Sequence, residues 1–211
     1  MDQVQQMLGQ EFAMFYCGKL PFTKLVPQQT LDDSIRVVNH YLKTHGNNLS
    51  EWESGMQDEI ARLLNVNWIW QRLKQEPIRK PFLVHEHQQD FKIDCGDTRH
   101  MALNLLPDPP TVTAVITVPK SQSAHYSAWQ PIHSDQDLIA MIGLDAGSAQ
   151  IYYTKTHGMD WAVSWLEIGD NSTSHHLHNI TVKLNMMQQY LNDQQNFEFS
   201  RAWFTQYHDW S

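Results

Sequence analysis

The feature that most constrains this chain is a change of hydrophobic period at Pro81 and its reversal after Gly96. From there Phe82-Leu83-Val84 is a compact apolar run, and Phe91, Ile93 and Cys95 alternate with Lys92 and Asp94. A period of two residues belongs to strands, whose side chains point to opposite faces in turn. The two strands are joined by a polar turn at His87-Gln88-Gln89-Asp90, whose type is left open by the lack of glycine. Past Gly96, Met101, Ala102, Leu105 and Leu106 share one helical face until Pro107, Pro109 and Pro110 stop it. The β-branched run Thr111 to Val118 then predicts a buried strand. Residues 80–119 therefore read strand, turn, strand, helix, strand.

Chemistry is expected where the second strand turns into the helix, at Gly96-Asp97-Thr98-Arg99. The first N–H groups of a helix lack intrahelical partners and lie at the positive end of its dipole, where phosphate or carboxylate binds. Gly96 removes a Cβ where a ligand must approach, Thr98 adds a hydroxyl, and Arg99 adds a planar, two-pronged donor suited to phosphate. The competing reading is structural: Asp97 or Thr98 caps the helix, and Arg99 forms a surface ion pair. Asp97 has a second role open to it, holding a divalent cation through a phosphate. His100 is a candidate proton shuttle.

The flanking sequence predicts a helical lead-in. Asp2 with Gln5 resembles a helix-starting box, and Val4, Leu8, Phe12 and Phe15 follow at helical spacing up to Gly18 and Pro21. Leu31, Ile35, Val38 and Leu42 share the face of a second helix. Ser50 and Glu53 form a capping-box pattern before Met56, Ile60, Leu63 and Leu64, with a break expected at Asn65 and Asn67 and a further turn or two from Trp68 to Leu73. The polar stretch Lys120-Ser121-Gln122-Ser123 divides the chain into portions 1–120 and 121–211. Beyond it the pattern predicts a helix near 135–142, strands at 150–153 and 161–168, and a helix at 180–191. The tail holding Phe197, Phe199, Trp203, Phe204, Tyr207 and Trp210 is too aromatic to lie free in water and should pack back. His175, His176 and His178 read as part of a polar loop.

Charge narrows the function classes. Fifteen Lys and Arg against 23 Asp and Glu leave a formal charge of −8, which opposes a broad duplex-DNA surface but allows a local anion pocket. Cys17 and Cys95 form no CxxC spacing, so neither a zinc knuckle nor a disulfide framework is indicated. No run approaches the ~18 apolar residues of a membrane span, and Met1-Asp2-Gln3 lacks the start of a signal peptide. A cytoplasmic protein without membrane contact is expected.

The stretch Lys80-Pro81-Phe82-Leu83-Val84, then Phe91 through Cys95-Gly96-Asp97-Thr98-Arg99-His100-Met101-Ala102-Leu103, then Val112 to Val118, resembles the ParB/sulfiredoxin superfamily. The likeness runs from near Leu25 to Lys120. It implies a nucleotide pocket for ATP or CTP with Mg2+, in which Gly96, Thr98 and Arg99 face phosphate and Asp97 takes the position that often bears a catalytic or metal-facing group. Sulfiredoxin enzymes carry a nucleophilic Cys directly after the turn glycine, where this chain has Asp97, and Cys95 precedes Gly96 on the inward face. Sulfiredoxin chemistry is therefore not expected. The architecture expected is α+β: helical lead-in, small mixed sheet with its helix, and a second α+β portion. The leading expectation is a nucleotide-binding protein that hydrolyses or transfers phosphate. The alternatives are a non-catalytic assembly module binding a protein partner through residues 121–211, and a ParB-like DNA-associated nuclease.

Overall fold

The computed structural model describes residues 12–75, 77–78, 81–119, 124–132, 149–155, 161–168 and 180–208. The protein is α+β. It forms two compact units, one drawn from 1–28, 78–97 and 110–169, the other from 29–77, 98–109 and 170–211. The division expected at Lys120-Ser121-Gln122-Ser123 lies outside the described residues.

The first unit is built on a six-stranded mixed sheet: β1 (Phe12–Leu20), β2 (Leu25–Val26), β3 (Phe82–His87), β4 (Asp90–Cys95), β5 (Val112–Pro119) and β6 (Gln130–Ile132). Their order across the sheet is β2-β4-β3-β5-β1-β6. β3 and β4 form the expected hairpin, closed by Gln88-Gln89 with Gln88 at φ 60°. β5 runs parallel to β3, as a helix crossover requires. Ile93 is fully buried, which bears out the alternation in β4, while the side chain of Cys95 lies outside the described residues. A separate antiparallel pair, β7 (Ala149–Lys155) and β8 (Trp161–Ile168), matches the strands expected there.

The helix expected up to Gly18 is corrected by β1, which pairs antiparallel with β5 from Phe12↔Pro119 to Leu20↔Val112. Residues 1–11 lie outside the described residues. Apolar residues at Phe12, Phe15, Tyr16 and Leu20 fit a helical period, but β5 offers a strand edge along almost the whole segment and β6 pairs with Phe15, Tyr16 and Cys17 on the other side, and that pairing wins. Gly18 sits inside the strand and does not break it. A Cβ there would come within 2.4 Å of the Trp129 ring, so glycine leaves room for the indole. Cys17 is buried, and loss of water pushes its thiol up to about 11, leaving an unreactive group.

The second unit is helical: α1 (Leu31–His45), α2 (Ser54–Leu73), α3 (Asp97–Leu103, shared with the sheet unit at its first residue), α4 (Ile180–Asn192) and α5 (Arg201–Phe204). Thr30 caps α1, its hydroxyl accepting from the Asp33 N–H at 3.1 Å. The capping box expected at Ser50 and Glu53 is corrected: Ser50 belongs to a 3-10 turn and donates to Asn48 Oδ1, and α2 starts at Ser54 without a side-chain cap. The break expected at Asn65 and Asn67 is also absent. Asn67 is fully buried within α2, where its amide donates to the carbonyls of Phe204 (2.9 Å) and Gln206 (3.1 Å). An Asn loosens a helix when its side chain competes for nearby backbone; here the tail occupies it.

Leu31, Val38, Ile60, Leu63, Leu64, Met187 and Leu191 make a single apolar core with Phe199, Trp203 and Phe204 of the tail. Tyr207 remains 75% exposed and Trp210 lies outside the described residues. The helix expected near 135–142 and the His175–His178 loop lie outside them too. No helix among the described residues is long and apolar enough to cross a membrane.

Candidate phosphate-binding turn

Gly96 is the only residue between the end of β4 and the start of α3, so the chain turns from sheet to helix within one residue. It does so at φ 133°, a conformation essentially confined to glycine. Gly96→Ala is expected to destabilise the protein by about 1–3 kcal/mol, the cost of holding a Cβ in that region. Equilibrium unfolding in urea measures it, and an unchanged midpoint would show that the turn relaxes freely.

The turn is braced from the loop after β2. Gln28 N–H donates to Asp97 Oδ1 at 2.9 Å, and the Gln28 side-chain amide donates to the Ile93 carbonyl at 3.1 Å. Asp97 thus fastens the 27–29 loop to the start of the helix through its Oδ1. Gln28 was missed in the sequence, because no local pattern marks a contact made across the sheet. Gly96, Asp97, Thr98 and Arg99 are each half-buried, reachable from solvent but held by their surroundings.

His100 is different. It is buried at 7% exposure, and desolvation pushes its imidazole down to about 4. A proton shuttle must change charge near neutral pH; this ring stays neutral there and fills space beside Met101 and Ala102. Arg36 on α1 is an exposed partner of Asp33 at 2.7 Å.

A second polar pair lies on the same strands. Asp94 grips the Nδ1 of His85 with both oxygens, at 2.8 and 3.0 Å. The pairing of β3 with β4 shifts register between Leu83 and Val84, where two residues oppose Cys95, Asp94 and Ile93. That irregularity turns Asp94 towards His85, and it is invisible in the sequence alternation. Among the described residues no group of three or more His, Cys, Asp or Glu side chains converges to hold a metal ion. A magnesium ion carried on a triphosphate needs as few as one protein carboxylate.

Comparison of the chain with protein-family models, curated proteins and solved structures returns no match.

Proposed function

We propose that the protein binds a nucleoside triphosphate, ATP or CTP, with Mg2+ at the Gly96–Arg99 turn. The observation that carries this reading is the one-residue passage from β4 into α3 at Gly96, which brings a helix start and an arginine onto the end of a sheet strand. In this reading Gly96 and Thr98 offer backbone and hydroxyl donors to the phosphates, Arg99 offers its guanidinium, and Asp97 faces the metal. Hydrolysis or transfer of phosphate is the chemistry such a cradle serves, since preorganised donors stabilise the charge of the transferring group. His100 has no part in it, because its ring is buried and neutral.

Arg99 supplies the test. Hydrogen bonds to charged groups are worth roughly 1.5–3 kcal/mol each, so Arg99→Ala should weaken nucleotide binding by roughly tenfold to a hundredfold or more. Calorimetric titration of ATP, CTP and GTP with magnesium into both proteins measures this, with melting curves to check that the variant is folded. If the unmutated protein binds none of them, the nucleotide reading is wrong. Equal binding by both proteins would instead remove Arg99 from the site.

A further inference from the structure

The helical unit carries a cavity of about 430 Å³ far along the chain from the turn. It lies where α1 and α4 both end: Leu42, Lys43, Gly46 and Asn47 border it from one helix, and Leu191, Gln194 and the following loop from the other. Helix C-termini bear partial negative charge, roughly half an elementary charge each. In α1 the last turn holds Lys43 and His45, which offset that charge; in α4 the last turn holds no basic residue. Glu198 lines the same cavity and adds a full negative charge, and Phe197 adds an aromatic ring.

One alkylammonium group already borders the cavity. Lys43 reaches Glu198 at 2.7 Å, with the two side chains 64% and 53% exposed. The elements around this ion pair match an aliphatic amine in kind: a carboxylate for the ammonium, apolar surface on Leu42, Leu191 and Phe197 for methylenes, and the Asn47, Gln194 and Asn196 amides for a second polar end.

We infer that this cavity is a binding site for a small aliphatic polyamine, whose terminal ammonium takes the place of Lys43 on Glu198. The Lys43 side chain then acts as a built-in competitor, and removal of the two partners must act in opposite directions. A surface ion pair is weak enough for a ligand with several contacts to displace it.

The experiment is calorimetric titration of spermidine into the full chain at low salt. Lys43→Met should tighten binding several-fold, because the carboxylate no longer has an internal partner. Glu198→Gln should weaken it at least ~tenfold, the loss of one charge-assisted bond. Asp58→Asn, an exposed acid on α2 outside the cavity, should leave binding unchanged and so separates this site from general attraction to a chain of formal charge −8. All three substituted positions are exposed, so the variants are expected to fold. The inference is overturned if Lys43→Met binds no spermidine with a Kd below ~1 mM. It is overturned equally if Glu198→Gln and Asp58→Asn lower affinity by the same factor.

Discussion

Phe204→Ala is expected to lower the stability of the protein by about 3–5 kcal/mol, the range for truncating a large aromatic side chain in a closed core. Phe204 is fully buried, lies 5.7 Å from the Phe199 ring and 4.9 Å from the Trp203 ring, and packs into the core of the helical unit. Alanine would leave a hole that the surrounding rings cannot fill without losing their mutual edge-to-face contacts. The backbone at this position is fixed as well, since its carbonyl accepts from Asn67 in the middle of α2. A domain is stable by only ~5–15 kcal/mol, so this single change removes a large part of the total. Urea unfolding followed by tryptophan fluorescence reads the effect. Tyr207→Ala, at 75% exposure, serves as the control and should stay within about 0.5 kcal/mol. A loss below ~1 kcal/mol for Phe204→Ala would mean that the tail detaches without consequence and acts as an arm for a partner.

The second large effect is a loss of stability in mild acid, traced to His100. Its imidazole titrates near 6.5 in an unfolded chain and at about 4 in the folded one, because burial penalises the charged ring. The unfolded state therefore binds more protons between those two values, and stability falls as the pH falls. The contribution is complete above pH 6.5 and is lost progressively down to about pH 4, amounting to about 3 kcal/mol over the window. His100→Gln removes the titrating ring. Its stability should therefore vary less steeply with pH than that of the unmutated protein, by about 1 kcal/mol per pH unit near pH 5. Urea unfolding of both proteins between about pH 7 and about pH 4.5 measures the slopes, and parallel slopes would show that the ring is accessible to water in the folded state.

Both predictions concern residues that a reader of the sequence would treat differently. His100 follows directly on Arg99 and stands in the turn that invites phosphate, which is why it looks like a shuttle. Its depth depends on which face α3 turns inward. Met101 and Ala102 at 0% exposure and Leu103 at 1% show that the second half of this short helix is interior, and His100 goes in with it while Asp97, Thr98 and Arg99 stay half-buried. The tail was legible for a different reason: so many aromatic side chains cannot remain in water, whatever they pack against.

The sequence by itself determined the elements whose period is sustained. Alternation in β4, the β-branched run of β5, the strands at β7 and β8 and the amphipathic helix α4 are each stabilised by a local pattern that fits one backbone period and no other. It also determined the turn at Gly96, since a glycine between a strand pattern and a helix pattern leaves few conformations for the chain. Only the tertiary structure decided what depends on a partner remote in sequence. β1 is a strand because β5 lies alongside it, and α2 is unbroken because Asn67 spends its amide on the tail. Asp97 is braced because Gln28 reaches it, and Asp94 meets His85 because the register of one hairpin slips. The carboxylate of Glu198 acquires Lys43 and two helix ends as neighbours only once α1 and α4 pack into the same unit. Hydrophobic period acts through neighbours a few residues away and can be read along a line, whereas hydrogen bonds and ion pairs act through space and exist only after the chain has closed on itself.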